Sequence, residues 1–114
     1  MSEEDRATVD QMLDAADKLS RSLVGTSREA FLEDVEKFDA ACMRLIVLGE
    51  GVNRLSEEAR SEASGVPWRM IRAFRNRLAH GHWEIDRDMV WDVVTNDVPV
   101  LRRQLLSLLK RLGP

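Results

Sequence analysis

Apolar residues recur every three or four positions along most of the chain, which is the pattern of amphipathic helices. One such stripe covers residues 5–24, and the glycine after it is expected to end the helix. Thr26 and Glu29 then have the spacing of a capping box, so a second helical region is predicted over residues 26–63. This region is long for a small domain, and we expect a break or bend within residues 34–37.

Residues 64–67 interrupt the pattern again and end in a proline, which suits the first turn of a helix. A third helix is predicted over residues 68–81, and an aspartate N-cap opens a last helical region over residues 86–112. Pro99 should kink or restart that region because it has no N–H group. With no alternating strand pattern, the sequence predicts an all-α, up-and-down bundle of four to five helices, in a single domain covering residues 1–114.

The net charge of −3 is unevenly distributed along the chain. Residues 1–66 contain 8 Lys and Arg against 15 Asp and Glu, whereas residues 67–114 contain 9 against 5. The balance argues against a protein that coats nucleic acid by bulk attraction, but it allows a local basic surface for an anionic partner. The alternative interpretation is that these arginines are ordinary solvated residues on helix faces.

The single cysteine, Cys42, lies in an apolar helical run and is predicted to be a buried thiol. One cysteine and two histidines, without a carboxylate at helical ligand spacing, argue against a metal site, and we predict no cofactor. No segment reaches the roughly 20 apolar residues that a membrane span needs, and the acidic N-terminus is unlike a signal peptide. We therefore expect a cytoplasmic protein with no membrane partner.

Both histidines lie in one stretch, residues 75–86, together with two arginines, an asparagine and a glycine. Histidine is the side chain that changes charge near neutral pH, and arginine binds phosphate through paired donors without titrating. His80 and Arg75 would therefore suit cleavage of RNA by its neighbouring 2′-hydroxyl. In that reaction the histidine moves a proton and the arginine stabilises the charge that develops on the phosphate.

The spacing of this pair raises a geometric problem. Asn76 and His80 share a helix face, but Arg75 and His80 are displaced by about 140° around an ideal helix. A regular helix in one chain therefore does not bring Arg75 and His80 together. Either the helix unwinds near Gly81, or two copies of the stretch meet across a two-fold axis and combine into one cleft.

Structural roles account for several of these residues without any chemistry. Gly49, inside a predicted helix, indicates close approach by another helix, and Glu50 is expected to pair with Arg72 or Arg75. His80 is also explained by the favourable dipole at a helix C-terminus. The three tryptophans are interpreted as core or interface residues rather than as platforms for stacked bases.

A set of short motifs occurs in order between residues 31 and 112. The motifs are Phe31-Leu32-Glu33-Asp34, Leu48-Gly49-Glu50, Arg54-Leu55-Ser56-Glu57-Glu58, Val66-Pro67-Trp68, Arg75-Asn76-Arg77-Leu78-Ala79-His80-Gly81, Asp86 followed by Val90-Trp91, and Asn96-Asp97-Val98-Pro99. The ordered set resembles the HepT-like toxins of the HEPN superfamily. An Arg-x4-His element alone is a weak signal, whereas the whole set is specific.

The resemblance implies an all-helical fold and a homodimer with the motif of each subunit at a shared cleft. It also implies metal-independent endoribonuclease activity on an RNA such as tRNA or mRNA. By position, Arg75 and His80 match the catalytic pair of the family. The neighbouring candidates for supporting or substrate-binding roles are Arg72, Asn76, Arg77 and His82. The resemblance further implies a toxin–antitoxin pair, in which the antitoxin partner is a minimal nucleotidyltransferase.

The sequence departs from this family at one regulatory position. In such systems the antitoxin can transfer AMP to a tyrosine two residues after the motif histidine, and His82 occupies that position here. The chain contains no tyrosine, so phenolic AMP transfer to it is impossible. Complex formation with the antitoxin, or modification of another residue, would have to replace it. His82 is also a candidate for a second proton-transfer group.

A second hypothesis belongs to a different functional class. The same cleft would serve a non-catalytic nucleotide-binding or interaction subunit that binds a nucleotidyltransferase partner. The substitution His80→Ala separates the two hypotheses, because it should abolish RNA cleavage under the first and leave partner binding nearly intact under the second.

Overall fold

A computed structural model describes residues 2–112, apart from the side chain of Trp83. The four long helices are α1 (Glu3–Ser22), α3 (Val35–Arg54), α5 (Trp68–Gly81) and α7 (Val98–Arg111), and the three short ones are α2 (Arg28–Glu33), α4 (Glu57–Ser61) and α6 (Arg87–Asp92). A 3-10 turn, His82–Glu84, follows α5, and a π-helical turn, Val93–Asp97, joins α6 to α7. The described residues contain no strand, and the predicted all-α bundle is confirmed.

The starts of α2 and α3 are fixed by polar side chains that accept hydrogen bonds from the first turn of each helix. Ser27 accepts from the backbone N–H of Ala30 at 3.1 Å, so Ser27 rather than the predicted Thr26 is the N-cap of α2. Asp34 accepts from the N–H of Lys37 at 3.0 Å and begins α3. The break predicted within residues 34–37 is therefore confirmed, and it lies at the first of those positions.

The prediction of continuous helix as far as residue 63 is wrong. α3 ends one residue before Leu55, which is buried and extended, and Ser56 then caps α4 by accepting from the N–H of Ala59. The carboxylate of Asp5, on α1, stabilises this break. It accepts hydrogen bonds from the backbone N–H of Ser56 at 3.0 Å and from the Ser56 hydroxyl at 2.7 Å. A contact across 51 residues thus ends a helix that local propensity would have continued.

The core is built around α3, which lies between α1 and α5, while α1 also packs against α7. Its aromatic part is formed by Phe31, Phe38 and Trp91, with ring centroids 6.2 Å apart for the two phenylalanines and 5.3 Å apart for Phe31 and Trp91. Trp68 is also partly buried against this core, so the core interpretation is confirmed for two tryptophans. The side chain of Trp83 lies outside the described residues.

Cys42 belongs to the same core and is only 2% exposed. Burial raises the pKa of its thiol to about 12, with the carboxylate of Asp39 adding to the effect. The predicted buried thiol is therefore confirmed, and at neutral pH it is protonated and unreactive.

Two glycines of α3 allow its neighbours to approach closely. A Cβ built on Gly49 would lie 2.2 Å from the Cβ of Arg75 in α5, and one built on Gly51 would lie 2.3 Å from the Cγ of Met12 in α1. A side chain at Gly49 would require α5 itself to move, because the obstructing atom is a Cβ, whereas one at Gly51 would require the side chain of Met12 to move. The close approach predicted at Gly49 is confirmed, and its partner is Arg75.

Pro99 is the second residue of α7, directly after the π-helical turn. Proline, which has no N–H group, is accommodated there because the π-helical turn before it, with Val98 N–H bonded to the carbonyl of Val93, already departs from the regular α-helical hydrogen-bond pattern. The predicted kink or restart is thus confirmed, and it takes the form of a wider helical turn. Within the described residues no helix is both long and apolar enough to cross a membrane.

Candidate functional site

Arg75 lies on the edge of α5 that meets α3, where Gly49 leaves room for its side-chain stem. Its guanidinium is held at both terminal nitrogens. Nη1 donates to Oδ1 of Asn76 at 3.1 Å, and Nη2 donates to Oε1 of Glu50 on α3 at 3.2 Å. Of the two partners that the sequence offered for Glu50, the structure selects Arg75.

The guanidinium nevertheless keeps most of its hydrogen-bonding capacity. Five N–H groups are available on an arginine, and Asn76 and Glu50 use two of them. The Nε of Arg75 is buried without a hydrogen-bond partner among the described residues. A buried donor left unsatisfied is costly, and such groups concentrate at functional sites. The side chain of Arg75 as a whole is 26% exposed, so part of it faces solvent although its Nε–H does not.

His80 lies on a different face of the same helix. α5 ends at Gly81, whose backbone has left helical geometry with φ 177° and ψ 61°, so the unwinding that the sequence allowed occurs only after His80. His80 is therefore displaced from Arg75 by about 140°, as on an ideal helix. Its ring is exposed, next to Asn76 one turn earlier. Of the two geometries left open by the sequence, only the meeting of two copies still brings Arg75 and His80 to one point.

His82 lies beyond α5 in the 3-10 turn and faces α3. Its Nε2 is 3.2 Å from Oδ1 of Asp39, and its ring centroid is 6.1 Å from that of Phe38. The sequence did not indicate Asp39, because nothing in the local pattern shows which residue of α3 the turn after α5 contacts. The ring is thus anchored by an acid and an aromatic residue of the neighbouring helix.

The other two arginines of the candidate set lie on either side of Arg75. Arg72 is exposed and about 60° from Arg75 around α5, so the two side chains leave the helix on neighbouring faces. Arg77 is also exposed but lies about 160° away. The structure therefore groups Arg75 with Asn76, Glu50 and the face of Arg72, and separates Arg77 from them.

The helix that carries these residues is strongly basic. α5 contains four arginines and one histidine, and it has no aspartate or glutamate. Only Arg75 is paired with a carboxylate from another helix; Arg69, Arg72 and Arg77 are exposed and make no ion pair within residues 2–112. The local basic surface expected around the central stretch is present on this helix. Among the described residues, no group of three or more His, Cys, Asp and Glu side chains could hold a metal ion.

Comparison with known proteins gives a consistent set of matches. A family model described as Ribonuclease HepT-like matches residues 12–108. The chain is 27% identical over 106 residues to "Putative RNase TTE0752" of Caldanaerobacter subterraneus subsp. tengcongensis, covering 93% of this chain and 95% of that protein.

Two archaeal proteins are similar over a shorter span. "Putative RNase MJ0127" of Methanocaldococcus jannaschii is 30% identical over 82 residues, covering 72% of this chain and 68% of that protein. "Probable ribonuclease HepT" of Thermococcus cleftensis is 27% identical, covering 72% of this chain and 74% of that protein. No solved structure matches the chain significantly.

Proposed function

Because the chain belongs to the ribonuclease HepT-like family, we propose that it is an endoribonuclease that cleaves RNA with Arg75 and His80 at the cleft of a homodimer. The observation that carries the proposal is the guanidinium of Arg75, held by Asn76 and Glu50 with one further N–H group on each terminal nitrogen. It lies on the same basic helix as an exposed histidine, inside the span that the family model matches. A phosphate group binds well to such an oriented guanidinium.

The proposed reaction uses the RNA 2′-hydroxyl as nucleophile. The 2′-oxygen bonds to the adjacent phosphorus, the bond from phosphorus to the 5′-oxygen breaks, and a 2′,3′-cyclic phosphate and a 5′-hydroxyl result. His80 accepts the proton from the 2′-hydroxyl or donates one to the leaving 5′-oxygen. Arg75 donates hydrogen bonds to the phosphate oxygens, whose negative charge grows in the transition state. These groups act without a metal ion, so the proposed activity is metal-independent.

The geometry of α5 supports the proposed homodimer. In one chain, Arg75 and His80 leave the helix about 140° apart, and α5 packs chiefly on α3. The outer face of its C-terminal half, around His80, is therefore available to a second copy. In the proposed homodimer, a two-fold axis relates two such faces and brings Arg75 of one subunit close to His80 of the other.

We further propose that the protein is the toxin of a toxin–antitoxin pair with a minimal nucleotidyltransferase. Its neutralisation does not use tyrosine, because the chain has none. Complex formation that covers the basic face of α5 would suffice, since RNA could then no longer reach Arg75. Co-purification of the two proteins, with loss of RNA cleavage in the complex, tests this assignment.

The central test is cleavage of RNA by the purified protein in the presence of EDTA. We expect products ending in 2′,3′-cyclic phosphate and 5′-hydroxyl, and no cleavage at a position carrying a single 2′-deoxy substitution. His80→Ala should lower the rate by about a hundredfold or more. Arg103→Ala, which changes an exposed arginine of α7, is the matched control and should retain activity. Products with a 5′-phosphate, or full activity of folded His80→Ala, would rule out the proposed chemistry.

The second candidate, an interaction subunit without catalytic activity, is favoured by the separation of Arg75 and His80 within one chain. Under this hypothesis the wild-type protein cleaves no RNA, and Arg75 contributes to binding of the nucleotidyltransferase. His80→Ala would then leave the affinity for that partner nearly unchanged, which calorimetric titration would measure.

A further inference from the structure

An open cleft of about 500 Å³ lies beside the first turn of α5, at the opposite end of the helix from His80. Every charged residue that lines it is an arginine, namely Arg60, Arg69 and Arg72. Its apolar wall includes Trp68 and the side chain of Met70, which is 72% exposed. A small open site with several positive charges and an apolar wall suits a phosphate joined to a sugar and a base.

The arginines of the cleft differ in how they are held. Arg60 is half-buried and donates through Nη1 to the carbonyl oxygens of Val52 and Leu55 at 2.9 and 2.6 Å, so its charge is fixed in place. Arg69 and Arg72 are exposed and make no ion pair with a carboxylate in residues 2–112. Their charge is therefore not neutralised locally and is available to an anion.

The tryptophan in the wall of the cleft is held in place by hydrogen bonds. The indole Nε1 of Trp68 donates to the carbonyl oxygens of Arg60 and Ala63, both at 3.1 Å, which fixes the ring at the end of α4. Pro67 precedes α5 as its N-cap without a side-chain hydrogen bond to the first turn. The positive end of the helix dipole therefore adds to the potential that the arginines create.

A polar face of α5 connects the cleft with the proposed cleavage site. Four exposed residues follow one another at spacings of three, four and four, which keeps them within about 40° of one helix face. They are Arg69, Arg72, Asn76 and His80. The first and the last are eleven positions apart, which corresponds to a length of about 17 Å at 1.5 Å per residue. An RNA strand lying along this face would reach the cleft several nucleotides away from His80.

We propose that this cleft binds a backbone phosphate and its nucleotide in the RNA substrate, at a distance from the phosphodiester that is cleaved. The inference rests on the proposed ribonuclease function and adds a second contact to it. Arg69 and Arg72 bind the phosphate, Arg60 supplies a fixed background charge, and the wall of Trp68 and Met70 contacts the nucleotide. The cleft sets the affinity for long RNA, whereas Arg75 and His80 carry out the chemistry.

Salt dependence of RNA binding tests the proposal. The probe is a fluorescein-labelled 2′-O-methyl RNA of about 20 nucleotides, which lacks the nucleophile, and fluorescence anisotropy gives Kd over a series of KCl concentrations. For a single strand, log Kd changes with log salt by about 0.7 per phosphate contact. Arg69→Gln and Arg72→Gln should therefore each lower this slope by about 0.7 and weaken binding several-fold.

Arg103→Gln removes an exposed arginine of α7 that does not line the cleft, and it provides the matched control. Its slope should equal that of the wild-type protein. If Arg69→Gln and Arg72→Gln give the same slope as Arg103→Gln while their circular dichroism shows that they are folded, the cleft proposal is overturned. An RNA that fails to bind the wild-type protein at low salt overturns it as well.

Parallel cleavage assays separate this proposal from the one on which it rests. If the protein cleaves RNA but its cleft variants bind RNA like the control, the ribonuclease proposal is supported and the cleft proposal is rejected. If the cleft variants show the reduced salt slopes but the wild-type protein cleaves no RNA, the cleft proposal is supported and the ribonuclease proposal is rejected.

Discussion

The orientation of Arg75 depends on one carboxylate that lies on a different helix. Glu50 accepts a hydrogen bond from Nη2, while Asn76, the next residue along the chain, accepts from Nη1. The pair of Glu50 and Arg75 is partly exposed, at 41% and 26%, so its contribution to stability is small. In the proposed mechanism its role is to fix the plane of the guanidinium, since a misdirected donor loses most of its effect on a transition state.

We therefore expect Glu50→Gln to affect catalysis more than stability. The amide oxygen can still accept a hydrogen bond, but the charge is lost, and we expect kcat for RNA cleavage to fall by roughly three- to tenfold. The midpoint of thermal unfolding should change little. Glu36→Gln, at an exposed position in the first turn of α3, is the control. Equal kcat values for the two variants would show that Glu50 does not position Arg75.

Asp5 is a second residue whose importance is not visible in the local pattern. It is only 4% exposed, and its carboxylate accepts two hydrogen bonds from Ser56. Burial alone would raise the pKa of Asp5, but the hydrogen bonds from Ser56 and Ser2 outweigh it, and the net pKa is lowered from its ordinary value. Because the folded pKa is below the unfolded one, the contribution of Asp5 to stability is present above about pH 4 and is lost as the pH falls further.

Asp5→Asn should therefore lower the free energy of unfolding by about 1–3 kcal/mol at pH 7. The difference from wild type should shrink below about pH 4, where the wild-type carboxylate also becomes neutral. Urea denaturation at several pH values measures both effects. Asp10→Asn, at an exposed position of α1, is the control and should change stability by less than about 0.5 kcal/mol at pH 7. A difference that stays constant down to pH 3 would contradict this account.

At the scale of the elements, the spacing of α3 from its two neighbours is set by two glycines. Gly49 faces Arg75 of α5, and Gly51 faces Met12 of α1. Both sites are buried, so an added methyl group must displace either the α5 helix, at Gly49, or the side chain of Met12, at Gly51, and either change costs about 1–3 kcal/mol. The two sites differ in what moves, because only the first displaces the proposed catalytic arginine.

Gly49→Ala and Gly51→Ala thus form a matched pair of variants. Both should lower the midpoint of thermal unfolding by several degrees. Only Gly49→Ala should also lower kcat well below the wild-type value at a temperature at which both variants are fully folded. Calorimetry and RNA cleavage on the same samples measure the two effects. Similar kcat values in the two variants would show that the packing of α5 on α3 does not position Arg75.

The elements themselves were largely predictable from the sequence, because their signals are local. The apolar stripes predicted α1 and α5, and the break expected within residues 34–37 predicted the start of α3. Pro99 predicted the restart before α7. The end of α3 was missed because Asp5 and Ser56 determine it across 51 residues. Thr26 and Ser27 were confused because either hydroxyl can cap a helix, and local spacing does not choose between neighbours.

The candidate site shows the same division between local features, which the sequence predicted, and tertiary contacts, which it did not. Helical spacing alone already separated Arg75 from His80, and the regular course of α5 preserves that separation. Glu50 was identified as an arginine partner, but the choice of Arg75 over Arg72 required the register of α5 against α3, which the contact at Gly49 sets. Such inter-helix registers are tertiary features and leave no periodic trace in one sequence.

At the scale of the whole molecule, the proposed active site of the homodimer needs Arg75 from one subunit and His80 from the other. A mixing experiment tests this requirement. Arg75→Ala and His80→Ala should each be nearly inactive alone. When both are co-expressed, about half of the dimers contain one subunit of each kind, and each of these retains one Arg75 and one His80 on different chains. We expect about a quarter of the wild-type activity to return, as measured by RNA cleavage.

Two observations would contradict the shared cleft. One is a mixture that stays as inactive as its components although mass spectrometry shows mixed dimers. The other is a wild-type protein that sedimentation at micromolar concentration shows only as a monomer. Either result would mean that Arg75 and His80 do not act together across subunits.

The contact at Gly49 has a consequence for how this protein can change over time. The only atom that separates the α3 backbone from the stem of Arg75 at this point is a hydrogen, so no larger residue fits without moving α5. If Arg75 has the proposed catalytic role, a larger residue that fills this helix interface to raise thermal stability would also change turnover. Durability would have to be gained elsewhere, for example on the outer surface of α7.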